Sequence, residues 1–305
     1  MPIHLTKLST YALPLLETVP AWRVHSIYRK TINLQNQDHL LAIQAAGSPF
    51  SPISLLTDAE EKQLSSLRLK VGDILVRDDH GLTLSGNLVF SCPSGVMQNP
   101  LDTRLPAAEP SALDSIRNSL EFLTRQDTRS FFSFLLHGRT LPADFQPLMT
   151  DYADSVLQKT SACYREEKED AARVAPVSSA FSSSADSFFR TSRQLCRLIG
   201  LGIGLTPSGD DFLTGVLAGL RLRGLEESPL FAALAEQIRH ALSRTNDISR
   251  AFLVCALEGH FSQAVLSLKN EADPALLRQR FAAIGHSSGM DTAAGILYCL
   301  RYPDQ

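Results

Sequence analysis

The sequence predicts an α+β fold, a small N-terminal β-barrel or β-sandwich domain followed by an all-α C-terminal domain, with the boundary at residues 105 and 106. Three observations carry this. Residues 22 to 90 are strand-like and punctuated by turn residues, and the apolar period becomes helical after Pro110. The final third holds one helix start twice, Ser-Gly-x-Asp at 208–211 and 288–291.

In the first part, Trp22 to Leu34 is rich in Val, Ile, Tyr and Thr. Leu40 to Ile43 and Ile53 to Leu56 are short apolar runs bounded by Gly-Ser-Pro and Asp. Ile74 to Val76 and Leu82 to Leu84 flank an Asp-Asp-His-Gly turn, which is a β-hairpin signature. Short strands at this spacing suit a barrel or sandwich. Cys92 to Pro110, with four prolines, reads as the exit from it.

Beyond Pro110, Leu113, Ile116, Leu120 and Leu123 share one helix face, and a second short helix ends at Gly138. A longer helix carries Phe145, Leu148, Met149, Tyr152, Val156 and Leu157 toward the charged stretch Glu166 to Arg173, a solvated face. Val177 to Ser187 holds six serines and few apolar anchors, so it is expected to be a mobile surface loop that a protease nicks first. Helices are then expected over 188–199, 211–223, 248–258, 274–284 and 291–302. Asp273-Pro274 forms an N-cap and N1 pair, and Gly259 and Gly285 suit C-termini.

A chain of 305 residues suits two domains or one large one. With 44% hydrophobic and 20% charged residues it is an ordinary globular composition, and a net charge of −3 without a basic stripe argues against nucleic acid as a partner. Cysteines 92, 163, 196, 255 and 299 stand singly, without metal spacing, and read as reduced core residues. The first residues lack the features of a signal peptide and no apolar run approaches ~18 residues, so the expected setting is cytoplasmic, without a membrane.

A shift of 80 residues lays 208–221 over 288–301 with seven of fourteen positions identical, Gly215 on Gly295 and Leu217 on Leu297 among them. The plain reading of each copy is a capping box, in which the Ser and the Asp satisfy amides of the first turn. That leaves unexplained a glycine at the start of both helices, since Gly costs ~1 kcal/mol against Ala in a helix interior. A glycine there lets a ligand approach the backbone, and open amides at a helix N-terminus form an anion site. On this reading Gly209→Ala spares or improves stability while crowding the ligand.

Gly215 and Gly219 follow Asp211 at intervals of four, as Gly295 and Cys299 follow Asp291, so small residues line one face of each helix. If the helices cross there, both starts converge on one cleft. Asp210, Asp211, Asp291 and His286 are then the candidate catalytic residues. Thr206, Ser208, Gly209, Ser287, Ser288 and Gly289 are candidate contacts to a small anionic substrate. A third start, Thr245 to Ser249, flanked by Arg244 and Arg250, adds Thr245 and Ser249. Paired carboxylates bind an ammonium or amide group, act as general base, or hold Mg²⁺ or Mn²⁺ at Asp210, Asp211 and Asp291; no other cofactor is expected.

The strings Gly-Ile-Gly-Leu-Thr-Pro-Ser-Gly-Asp-Asp-Phe-Leu-Thr-Gly at 202–215 and Gly-His-Ser-Ser-Gly-Met-Asp-Thr-Ala-Ala-Gly at 285–295 resemble those of a bacterial family, the AllH-type subunit family of oxamate carbamoyltransferase. Val24 to Arg29 and Thr245 to Ser249 extend the resemblance over most of the chain, while the Ser-rich insert departs from short members. The resemblance implies a part in anaerobic allantoin and purine-nitrogen catabolism. There oxalurate and phosphate give oxamate and carbamoyl phosphate, with two companion subunits. Two other readings stay open: a metal-dependent hydrolase of a small amide or ureido compound, and a non-catalytic ligand-binding or scaffold subunit.

Overall fold

The computed structural model describes residues 2–141, 151–162, 180–202, 204–271 and 273–301. The chain divides into two compact units, Met1–Arg104 with Glu258–Leu266, and Leu105–Leu257 with Ser267–Gln305. The charged stretch 166–173, the residues Phe145, Leu148 and Met149, and Cys163 lie outside the described residues.

The first unit is a closed barrel of β1 (Ile3–Leu8), β2 (Ala21–Ile27), β3 (Thr31–Asn36), β4 (His39–Gln44), β5 (Ser54–Thr57), β6 (Ile74–Asp78), β7 (Gly81–Leu84) and β8 (Asn87–Ser91). The strands run in the order β1-β5-β4-β3-β2-β6-β7-β8, antiparallel except at β4 with β5 and at β1 with β8. Of the two expected β architectures, the barrel is the one formed, and closure leaves no open edge among its strands. Two-residue turns join β3 to β4, β6 to β7 and β7 to β8. Ser85 and Gly86 join β7 to β8 with positive φ at both positions, the mirror-image turn that matches strand twist. Between β6 and β7, Asp78 Oδ1 accepts from the amides of His80 and Gly81, which explains the Asp-Asp-His-Gly signal.

Inward-facing residues fill the barrel: Trp22, Val24, Ile32, Leu34, Leu41, Ile43, Leu55, Leu75, Leu82 and Phe90 form one buried cluster. The cluster also takes Ala12 and Leu16 of α1 (Ala12–Thr18) and Leu64 of α2 (Glu61–Ser65); α3 (Ser94–Gln98) follows β8. Strand β1 and helix α1 are absent from the sequence reading, because their apolar residues alternate for only a few positions. The sequence boundary also misses an excursion: residues 258–266 return to this unit, where the Phe261 amide donates to Thr103 O and the Gln263 amide to Phe50 O. Buried His260 Nδ1 lies 2.8 Å from Thr103 Oγ1 there. Such a return is invisible to local patterning because Thr103 and His260 are 157 residues apart.

The second unit is helical: α4 (Pro110–Arg125), α5 (Phe131–Leu136), α6 (151–162), α7 (Ala180–Leu195), α8 (Ser208–Leu222), α9 (Pro229–Ala241) and α10 (Asp247–Leu257). After α11 (Gln263–Ser267), which up to Leu266 belongs to the first unit, come α12 (Pro274–Ala282) and α13 (Ser288–Arg301). Helix α9 is missing from the sequence reading although its start is legible, since Ser228 accepts from the Phe231 amide and Pro229 takes N1. The expected loop at 177–187 is a correction. Helix α7 begins at Ala180, so its Ser-rich part is helical, and residues 177–179 lie outside the described residues. Serine costs only a fraction of a kcal/mol per helical position, and the downstream turns are anchored by buried Thr191, Ser192 and Leu195.

At the far end of α13, Arg301 clamps Glu121 of α4 through two bonds, at 2.7 and 2.9 Å, and donates to Leu136 O at 2.6 Å. Cys92, Cys196, Cys255 and Cys299 are buried free thiols. Burial pushes Cys196 up to about 12 and Cys92 and Cys299 up to about 11, which keeps them as inert thiols. No helix among the described residues is long and apolar enough to cross a membrane.

Candidate active site at the crossing of two helix starts

Helices α8 and α13 cross in direct backbone contact. An added Cβ on Gly215 would meet Thr292 O at 2.1 Å, and one on Gly295 would meet Phe212 O at 2.0 Å. A Cβ added to Gly219 would meet the Cys299 side chain, at 2.5 Å from its Cβ. The small residues at intervals of four therefore serve the crossing, and the two Ser-Gly-x-Asp starts come together as the sequence spacing suggested.

What they form is not a pair of capping boxes. Pro207 is the N-cap of α8, without a side-chain cap bond, and Ser208 is already helical. The serines instead sit beside the acid of the other copy, where the hydroxyl of Ser208 favours the charged form of Asp291 and that of Ser288 favours the charged form of Asp211. Thr206 acts on Asp211 in the same way, and its Oγ1 lies 2.7 Å from Ser288 Oγ, tying the two starts together. Ser287 does the same for Asp291.

The glycines have a different reason from the one the sequence suggested. The Gly209 amide donates to Leu201 O at 2.8 Å and the Gly289 amide to Ile284 O at 3.1 Å, so neither is open to an anion. A Cβ on Gly209 would meet Leu198 O at 2.0 Å, and one on Gly289 would meet Phe281 O at 1.8 Å. Each glycine admits the backbone at the end of the preceding helical segment, the 3₁₀ turn Cys196–Leu198 or α12. The expectation that Gly209→Ala spares stability is overturned, because backbone occupies the space.

The three aspartates divide. Asp210 is buried with both oxygens taken: Oδ1 accepts from the Gly200 amide at 2.8 Å, and Oδ2 accepts from Thr245 Oγ1 and from Ser249 Oγ at 2.7 Å. It joins the loop before α8 to the start of α10, and this is where Thr245 and Ser249 are used. Asp210→Ala would strand one buried amide and two hydroxyls, and is expected to cost about 2–5 kcal/mol in a denaturant titration. A cost below 1 kcal/mol would remove Asp210 from this role.

Asp211 and Asp291 make the site. Both are buried, at 9% and 0% exposure, and the Oδ2 of each has no hydrogen-bond partner among the described residues. Burial first, and then the charge of Asp291, holds Asp211 well above the usual carboxylate range, against the bonds from Ser288 and Thr206. Burial likewise pushes Asp291 up to about 7, against bonds from Ser130, Ser208 and Ser287. Two coupled acids in this state hold a proton near neutrality. An aromatic stack packs beside them: Phe131 on Phe132 at 4.3 Å, Phe132 on Phe212 at 4.2 Å, and Phe212 against Tyr298 at 5.5 Å.

The solvent side of the pair is formed by half-buried Thr206, Ser287 and Ser288, with Leu205 and His286 exposed beyond them. A groove of about 720 Å³ bounded by Leu136, Leu157, Tyr298 and Arg301 includes none of these residues. Among the described residues no trio of His, Cys, Asp or Glu is grouped to hold a metal. Sequence reasoning missed Ser130, whose hydroxyl donates to Asp291 Oδ1. Its local signal, a Ser N-cap ahead of an apolar run, announces a helix start and nothing more.

Both acids bind their proton more tightly folded than unfolded, so they stabilise the fold fully below about pH 4; the contribution of Asp291 is lost as pH rises through about 7, and that of Asp211 as pH rises through its own raised value. His137, lowered by burial to about 4, works against them from pH 4 to 6.5, because there the unfolded chain takes up the proton. The clean window is therefore above pH 6.5. Between pH 6.5 and 8.5 the parent is expected to lose more thermal stability than Asp211→Asn/Asp291→Asn; parallel melting curves would show that the pair does not titrate there.

A β-barrel unit with a helical unit that crosses two like helix starts over a buried acid pair is the architecture to which the comparisons apply. Residues 198–300 match the family model described as oxamate carbamoyltransferase subunit AllH, and residues 7–96 match the AllH family N-terminal domain. The chain belongs to the AllH family. No match was found among curated proteins or among solved structures.

Proposed function

We propose that this chain is a subunit of a carbamoyltransferase that converts oxalurate and phosphate to oxamate and carbamoyl phosphate, and that Asp211 and Asp291 handle its protons. One observation carries the reading: two buried, coupled carboxyls, each with an unpartnered Oδ2, at the crossing of the two family-specific helix starts. A phosphate oxygen attacks the carbamoyl carbon, the bond from that carbon to the oxamate nitrogen breaks, and the proton carried by hydrogen phosphate ends on that nitrogen. No net proton is consumed. The task suits a group that gives one proton to the leaving nitrogen and takes one back, as an acid pair poised near neutrality does.

When ionised, the unpartnered oxygens accept from the N–H groups of carbamoyl and amide ends; when protonated, they can donate to the departing nitrogen. Because the Gly209 and Gly289 amides are committed, the anionic ends of the substrates are held by other donors. In this reading the companion subunits supply them. The test is the assembled enzyme, reconstituted with this chain and assayed for carbamoyl phosphate formed from oxalurate and phosphate. Asp211→Asn is expected to abolish most turnover; an Asp211→Asn complex with parental kcat would take the pair out of the chemistry.

A further inference from the structure

We propose that Ser130 is a positioning residue for the acid pair: anchored by Asp127 and by the first turn of α5, its hydroxyl engages Asp291 Oδ1 and leaves Oδ2 as the working oxygen of that carboxyl. The role of the pair in turnover rests on the function proposed above; the placement of Asp291 by Ser130 does not.

Ser130 has zero exposure and sits at the N-cap of α5, 161 residues from Asp291. Its amide donates to Asp127 Oδ2 at 2.8 Å, and its Oγ accepts from the Ser133 amide at 3.1 Å. That second bond takes a lone pair of Oγ and orients the hydroxyl, whose one proton is donated to Asp291 Oδ1. Asp127 is itself 3% exposed, takes the Arg129 amide on Oδ1 at 3.2 Å, and has the Arg129 guanidinium at 3.9 Å. The turn between α4 and α5 is thus held by bonds of its own and presents one fixed donor.

A fixed donor on one oxygen makes the two oxygens of Asp291 unequal. Oδ1 is engaged while Oδ2 stays unpartnered, and Asp211, whose Oδ2 is likewise unpartnered, is coupled to it across the helix crossing. The two acids are also unequal. Asp291 has zero exposure and is closed in by the α4–α5 turn, whereas Asp211 keeps 9% exposure beside the half-buried hydroxyls of Thr206 and Ser288. Asp211 is the acid that meets substrate, and Asp291 is the partner that shares its proton. The charged groups facing the pair are Asp210 from α8 and Asp127 from the turn, the latter offset by Arg129.

The test reads ionisation directly, in the full chain, by following the aspartate side-chain carboxyl ¹³C signals against pH. The Ser130 hydroxyl stabilises the charged form of Asp291, so Ser130→Ala is expected to move the Asp291 midpoint upward by about half a pH unit or more. Ser130→Gly removes the same hydroxyl at an N-cap that glycine tolerates to within a few tenths of a kcal/mol, which separates the donor from the cap. It is expected to show the same shift. Ser130→Thr keeps both bonds and restores the parental midpoint. In the assembled enzyme, the Ser130→Gly pH–rate profile moves by the same amount with KM unchanged. Asp291 midpoints that coincide in the parent, Ser130→Gly and Ser130→Thr would overturn the proposal. Shifted midpoints together with full activity of Asp211→Asn would uphold it and overturn the carbamoyltransferase reading instead.

Discussion

Gly215→Ala and Gly295→Ala are each expected to cost about 3 kcal/mol or more, or to leave no folded helical unit, although alanine is the better helix former at both positions. The intrinsic gain is at most ~1 kcal/mol. Against it stands a methyl group built 2.1 Å from Thr292 O at position 215 and 2.0 Å from Phe212 O at position 295, where no real Cβ sits. The atoms in the way are backbone of the partner helix, which has no rotamer to change, so the helices must separate. Overpacking of this kind costs typically 1–3 kcal/mol and more when backbone has to shift.

Gly209→Ala and Gly289→Ala fall in the same class, with carbonyl oxygens at 2.0 and 1.8 Å. Gly95→Ala is the control: it is helical, has nothing within 4 Å of the added carbon, and is expected to be neutral or slightly stabilising. Urea titrations with a constant slope provide the comparison. If Gly215→Ala and Gly95→Ala share one midpoint, the backbone contact at the crossing is wrong, and with it the convergence of the two helix starts.

Asp211→Asn is expected to lower kcat of the assembled enzyme by about 10²–10⁴, the range for a lost general acid or base. The same change is expected to raise the stability of the chain at pH 8. Asparagine is nearly isosteric, cannot exchange a proton, and removes a charge whose cost is set by burial and by its neighbour Asp291. Opposite signs for activity and stability mark a group kept for function rather than for the fold. Asp291→Asn is expected to follow the same pattern, with a smaller gain in stability because the Ser130 hydroxyl favours the carboxylate it replaces. A merely structural acid behaves otherwise: Asp211→Asn would then lose stability and leave turnover intact. Thermal melts at pH 6.5 and 8 beside the carbamoyl phosphate assay distinguish the two.

Much of this is legible without the structure, for a physical reason that can be traced element by element. The β7–β8 and β6–β7 turns are set by residues two or three apart, as are the Ser228-Pro229 and Asp273-Pro274 helix starts. Amphipathic faces repeat within one turn. The small residues after Asp211 and Asp291 lie on one face by helix geometry alone, and they made the crossing of α8 and α13 foreseeable. Helix α9 shows the limit of reading rather than of information, since its cap and proline stand in the sequence.

The sequence by itself determined the two-part α+β plan and the family, and it put Asp211 and Asp291 among its four catalytic candidates, because turn chemistry, periodicity and a long specific motif are all local. Only the tertiary structure decided what those residues do. A glycine that admits a ligand and a glycine that admits another helix are the same letter, and the backbone behind Gly209 and Gly289 chose the second. A serine three residues before an aspartate spells a capping box, yet each of these serines sits beside the acid of the other copy. Asp210 and Asp211 are adjacent in the chain, but one is saturated by Gly200, Thr245 and Ser249 while the other keeps an unpartnered oxygen. Ser130 reaches Asp291 across 161 residues. Hydrogen-bond partners at such separations are set by how helices pack, and packing depends on the shape of the whole unit rather than on any window of its sequence.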